Sequence, residues 1–127
     1  MKKIQQFGKM DYDEENDLLF FSLTRSEYLH SLELHDIIVD LDKENKIMGI
    51  EMFNAAKLLN VSPNSIIDTI QCMINIIVHK GKLQIHFFFK IEHHGEIIQK
   101  EQVITQVISS SIPDVKTDFL IEKKVLV

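Results

Sequence analysis

The strongest constraint on this chain lies between residues 72 and 91, where apolar and polar side chains alternate on both sides of Lys80-Gly81. Taking Lys80-Gly81 as a two-residue turn, the period of two gathers Cys72, Ile74, Ile76, Val78, Leu83, Ile85, Phe87, Phe89 and Ile91 on one face of a hairpin. The other face carries Asn75, His79, Lys82, Gln84, His86 and Lys90, interrupted by Met73, Ile77 and Phe88. One dry and one wet face define a half-covered antiparallel sheet. Nine apolar side chains have to be covered, and the chain holds too little helix for the task, so a homodimer is expected.

The same periodicity extends in both directions. Short apolar runs separated by charged or turn-forming clusters predict an N-terminal meander, with strands near Lys9 to Asp13, Leu18 to Thr24, Ser31 to Leu34, Ile37 to Leu41 and Lys46 to Phe53. Asn54 is placed to cap a short helix over Ala55 to Leu59. Ser62 before Pro63 opens a second, reaching about Thr69. A further hairpin turns near His94 and Gly95 into a strand from Glu96 to about Ile108. Ser109, Ser110, Ser111 and Pro113 then break regularity before a last strand from Phe119 to Val127. The expected fold is α+β and mostly antiparallel β, as one domain over residues 1–127. Residues 1–60 form the meander and its helix, and residues 61–127 a helical turn and long β-hairpins.

With 127 residues, 45% of them hydrophobic, such a domain can bury a core without staples. The single cysteine, Cys72, makes no internal disulfide. Together with an N-terminus lacking the apolar stretch of a leader, it predicts a cytoplasmic protein. No apolar run reaches the ~20 residues that span a bilayer.

Charge is segregated. Residues 1–10 hold three lysines and no acid, residues 11–60 four basic and twelve acidic side chains, and residues 61–127 seven of each, for a net charge of −5. An acidic first half is a poor footprint for phosphate backbones, and it favours a small basic protein as partner. Asp13, Glu14, Glu15 and Asp17 are the expected contact residues.

The opening YDEENDLLFFSL, with Tyr12, Asp13, Asp17, Leu18, Leu19 and Phe20, is followed by VDLDKENKIMGIE from Val39 to Glu51, then by Asn54, Ala55 and Ala56. In this order the parts resemble the domain of unknown function 2283 family over residues 12–57. The resemblance implies a meander ending in a helix and no activity. The frequent position of family members beside small toxin-like genes points to a protein partner.

Three other patterns carry chemistry. Residues 55–71 are similar to a helix-turn-helix, but the second helix would present Pro63, Asn64, Ser65, Asp68, Thr69 and Gln71, with no arginine or lysine for base edges or phosphates. Asp40, Asp42, Glu44, Asn45, Ile47 and Glu51 fall at positions one, three, five, six, eight and twelve of a calcium loop. The β-branched residues before that loop favour a strand over the helix an EF-hand needs, so an acidic hairpin is the plainer reading. Six histidines occur, yet His79 and His86 would stand about two residue pairs apart, and no cysteine accompanies them, so no metal site is expected. No glycine-rich phosphate loop, tuned carboxylate pair or reactive thiol stands out. The chain reads as non-enzymatic, without a cofactor.

Overall fold

The structure is a computed structural model and describes residues 5–23, 27–109 and 112–122. Among the described residues there are nine strands, with two short helices between the fifth and sixth: β1 (Gln5–Asp13), β2 (Leu18–Ser22), β3 (Tyr28–Leu34), β4 (Ile37–Asp42), β5 (Ile47–Phe53), α1 (Ala55–Leu58), α2 (Pro63–Ile67), β6 (Thr69–His79), β7 (Lys82–His93), β8 (Glu96–Val107) and β9 (Val115–Glu122). The strands form one sheet in the order β3-β4-β5-β2-β1-β9-β6-β7-β8. All neighbours are antiparallel except β1 and β9.

β1 divides this sheet into two wings. Its first residues, Gln5 to Gly8, pair with β9, and Lys9 to Asp13 pair with β2. A Cβ on Gly8 would stand 3.0 Å from the Ser22 carbonyl oxygen and 3.3 Å from Ile121 Cγ1, so the corner is built around a residue without a side chain. β2 and β7 lie four strands apart, which in a flat sheet is roughly 19 Å at the usual strand spacing. The Phe21 and Phe87 rings are nevertheless 5.6 Å apart. The wings therefore fold over one another like a half-barrel and enclose a single core.

All nine residues of the expected apolar face are buried in that core. Their cover is the chain's own first wing, with Leu19, Phe21, Val39, Ile50 and Met52, so the argument that a second copy must shield this face fails. Helices α1 and α2 contribute Ala55, Ala56, Leu59 and Ile66 to the same core.

The turns at Lys80-Gly81 and His94-Gly95 both have positive φ at the two positions, as type I′ hairpins require. His86 opposes Asn75 and His79 opposes Lys82, in the register read from the alternation. Ser62 caps α2 by accepting from the Ser65 amide at 3.1 Å. The last strand begins four residues earlier than expected, at Val115. Thr24, Ser110, Ser111 and residues 123–127 of the expected strands lie outside the described residues, as do Lys2 and Lys3. Among the described residues no helix is long and apolar enough to cross a membrane.

Candidate protein-interaction surface

Asn54 does not cap α1 as its side chain suggested. It takes a left-handed conformation, φ 54°, and makes no side-chain cap. The helix N-terminus is closed instead from 39 residues away. Asp17 accepts from the Ala56 amide through its carboxylate at 3.0 Å and from the Ala55 amide through its carbonyl at 3.1 Å. Tyr12 Oη donates to the same carboxylate at 2.7 Å, and burial followed by this hydrogen bond pushes the phenol pKa well up. Tyr12, Asp17 and the Ala55-Ala56 pair thus meet in one polar knot that ties the β1–β2 hairpin to the end of β5. Asp17 belongs to this knot. Of the other expected contact residues, Glu14 and Glu15 are exposed at the turn, and Asp13 accepts from the Asn16 side chain at 2.8 Å, which holds its carboxyl below the usual range.

Beside the knot, the outer face of the first wing is ordered by strand register. Asp11 on β1 stands opposite Phe20 on β2, Phe20 opposite Glu51 on β5, Glu51 opposite Ile38 on β4, and Ile38 opposite Glu33 on β3. Paired residues share a face, so acid and apolar side chains alternate along a row crossing five strands. The adjoining row holds Lys9, Ser22, Gly49, Asp40 and Ser31, and the Ser31 hydroxyl donates to Asp40 at 2.6 Å. Between these rows and the corner lies an open groove of about 1110 Å³, lined by Phe7, Phe20, Tyr28, Asp40, Gly49 and Glu51 among others. Phe7 is 70% exposed and Tyr28 56%. Burial, and then the charge of Asp40, raises the Glu51 pKa.

Where the sequence offers a calcium loop or an acidic hairpin, the structure has the hairpin. Residues 40–51 form the β4–β5 hairpin, with Asp40 and Glu51 on its two strands. Asp42 is 5% exposed, and its carboxylate accepts from the Glu44 and Lys46 amides at 2.8 and 2.9 Å, so it holds the turn. Glu44 pairs with Lys46 at 2.9 Å. Among the described residues no group of three metal-ligating side chains forms.

The helix-turn-helix reading is corrected as well. α1 and α2 span four and five residues, and Thr69 to Gln71 already lie on β6, because the Thr69 side begins pairing with β7 there. His79, His86 and His93 each face a separate acid, Asp114, Glu101 and Asp68, along the second wing. Cys72 is fully buried, and that burial raises its thiol pKa.

Residues 9–55 match the family described as "Protein of unknown function (DUF2283)". The match covers the first wing from Lys9 onward and the polar knot up to Ala55. An uncharacterized protein of Methanocaldococcus jannaschii is 43% identical over 53 residues, which is 42% of this chain and 46% of that protein. The chain therefore matches less than half the length of this relative. A protein of Methanosarcina mazei named "Putative hypoxanthine phosphoribosyltransferase" is 26% identical over 100 residues, 79% of this chain and 81% of that protein. No solved structure matches the chain.

Sequence reading reached the acidic turn and missed Asp11, Phe20 and Glu33 as a set. The signal was partly present, since Asp11 and Phe20 alternate with core residues in their own strands. Their union depends on β2 pairing with β5 across two intervening strands.

Proposed function

We propose that this chain is a small non-enzymatic protein-interaction module, one domain over residues 1–127, that docks a basic partner protein on the outer face of its first wing in the reducing cytoplasm. The observation that carries this reading is the row of Asp11, Glu51 and Glu33, with Phe20 and Ile38 between them, beside a groove to which Phe7, Phe20 and Tyr28 contribute aromatic rings. Exposed acid with apolar area gives long-range attraction to cations and a dry contact once the partner arrives. Asp13, Glu14 and Glu15 extend the charge at the turn, and Asp17 holds the fold beneath it.

The test is affinity capture from native lysate, nuclease-treated, at low and physiological salt, with the wild-type chain and with Asp11→Asn/Asp13→Asn/Glu33→Gln. A salt-sensitive protein captured by the wild type and lost from the variant supports the reading. Equal recovery by both removes this face, and recovery that depends on nucleic acid replaces the partner class.

Self-association is assigned to a different surface from the nine-residue face. β8 is a twelve-residue strand at the open edge, with Ile97, Val103 and Val107 exposed. An unpaired edge of that length is a template for another strand. Light scattering is expected to give a dimer mass; a monomer mass at high concentration rejects it.

The activity named for the Methanosarcina relative is not carried over. The four glycines serve other ends, Gly8 and Gly49 at close strand contacts and Gly81 and Gly95 in hairpin turns, and none is left to cradle a phosphate.

A further inference from the structure

The two edges of the sheet are guarded differently. β3 at one end has seven residues and a bulge between Tyr28 and His30. β8 at the other end pairs with β7 over twelve residues without a register shift, and it holds no proline and a single lysine, Lys100. Bulges, prolines and repeated charges are what keep an edge from accepting another strand, and β8 lacks them.

The turn fixes which backbone groups β8 shows to that edge. A type I′ turn at His94-Gly95 directs the Glu96 amide to the His93 carbonyl, so Glu96 and every second residue after it bond towards β7. The Ile108 amide, which donates to the Gly81 carbonyl at 2.8 Å, keeps the same alternation. Ile97, Gln99, Glu101, Val103, Thr105 and Val107 therefore turn their amides and carbonyls outward.

Symmetry limits how a second copy can add here. Identical antiparallel strands in one sheet are related by a two-fold axis normal to it, and opposed side chains share a face, so one residue must meet itself on the axis. Lys100 or Glu101 on the axis would oppose like charges. Val103 there would leave Ile97 without a partner. Gln102 on the axis opposes a neutral side chain to itself, Glu101 to Val103, Gln99 to Thr105, and Ile97 to Val107, which are 60% and 79% exposed. It also pairs every residue from Ile97 to Val107.

We propose that two copies of this chain join edge to edge by antiparallel pairing of β8 with β8, with Gln102 on the two-fold axis. This rests on the self-association reading of the same edge and fixes its register.

The test compares Lys100→Cys, Glu101→Cys, Gln102→Cys and Val103→Cys in the full chain under mild oxidation, the native Cys72 being fully buried. In this register the two copies of position 102 form a non-hydrogen-bonded pair with Cα atoms about 4.5 Å apart, within disulfide reach, and the other three positions stand beyond the ~7 Å limit from their own copies. Gln102→Cys alone is expected to give a disulfide-linked dimer. Gln102→Lys and Gln102→Glu are each expected to weaken the dimer by about threefold, and mixing the two to restore it as a heterodimer in native mass spectrometry. Circular dichroism melting checks that the variants remain folded. Faster crosslinking at any of the other three positions overturns the register and leaves the β8 edge. A dimer mass with no crosslink at any of the four moves self-association away from β8, and a monomer mass overturns self-association itself.

Discussion

The two wings that share β1 close over the same core and show solvent different faces. On the first, Asp11, Glu33 and Glu51 form no ion pair among the described residues and stand beside exposed aromatic rings. On the second, two acids have histidine hydrogen-bond partners: His86 meets Glu101 at 2.7 Å and stacks on Phe88 at 3.9 Å, and His79 meets Asp114 at 3.0 Å. The family match covers the first wing and stops at Ala55, where the second has yet to begin. The second wing is thus the cover that makes the first wing's inner face stable, and the first wing carries the surface on which recognition is proposed.

The most severe way to break this contrast is Phe87→Ala. Phe87 is fully buried on the second wing and touches Phe21 on the first, so its loss is expected to cost about 3–5 kcal/mol in denaturant unfolding. Both wings are expected to unfold in one transition. Two transitions, with the first wing surviving, would divide the chain into separate units.

Next in size is Asp17→Ala. It removes the acceptor for the Ala56 amide and the Tyr12 hydroxyl, at a cost of about 1–3 kcal/mol. Asp13→Asn, next to Tyr12 in the chain but bonded to Asn16 within its own turn, is expected to change stability far less. Equal effects of the two in chemical denaturation would dissolve the distinction between a structural and a surface acid.

Glu101→Gln tests the second wing's histidine–acid contacts. Its exposed pair with His86 is expected to contribute under about 1 kcal/mol, and capture of a basic partner is expected to be unchanged. Loss of capture would move recognition to the second wing.

The smallest effect carries a sign. Burial and Asp40 raise the Glu51 pKa above its unfolded value, so the ionised carboxylate costs stability at neutral pH, and that cost disappears as the pH falls through the raised value. Glu51→Gln is expected to raise the melting midpoint slightly at pH 7 and to leave it unchanged in acid below the carboxylate range. A lowered midpoint at pH 7 would mean that the carboxylate has a stabilising partner.

Much of the architecture was legible because it is local. Alternation around Lys80-Gly81 determined a hairpin, its turn and the buried faces of β6 and β7, and His94-Gly95 placed a second turn, since a turn of fixed length and a period of two leave one register. Ser62 determined the start of α2 in the same way, with its partner three residues on. Only the tertiary structure decided what lies against those faces. Phe21 covering Phe87, β2 returning to β5, β1 running parallel to β9 and Asp17 closing a helix that begins at Ala55 all join residues far apart in the chain, and no local propensity selects such pairs. The row of Asp11, Phe20, Glu51, Ile38 and Glu33 is of this second kind. Each strand determined which way its own side chain points, and the order of the strands made them a surface.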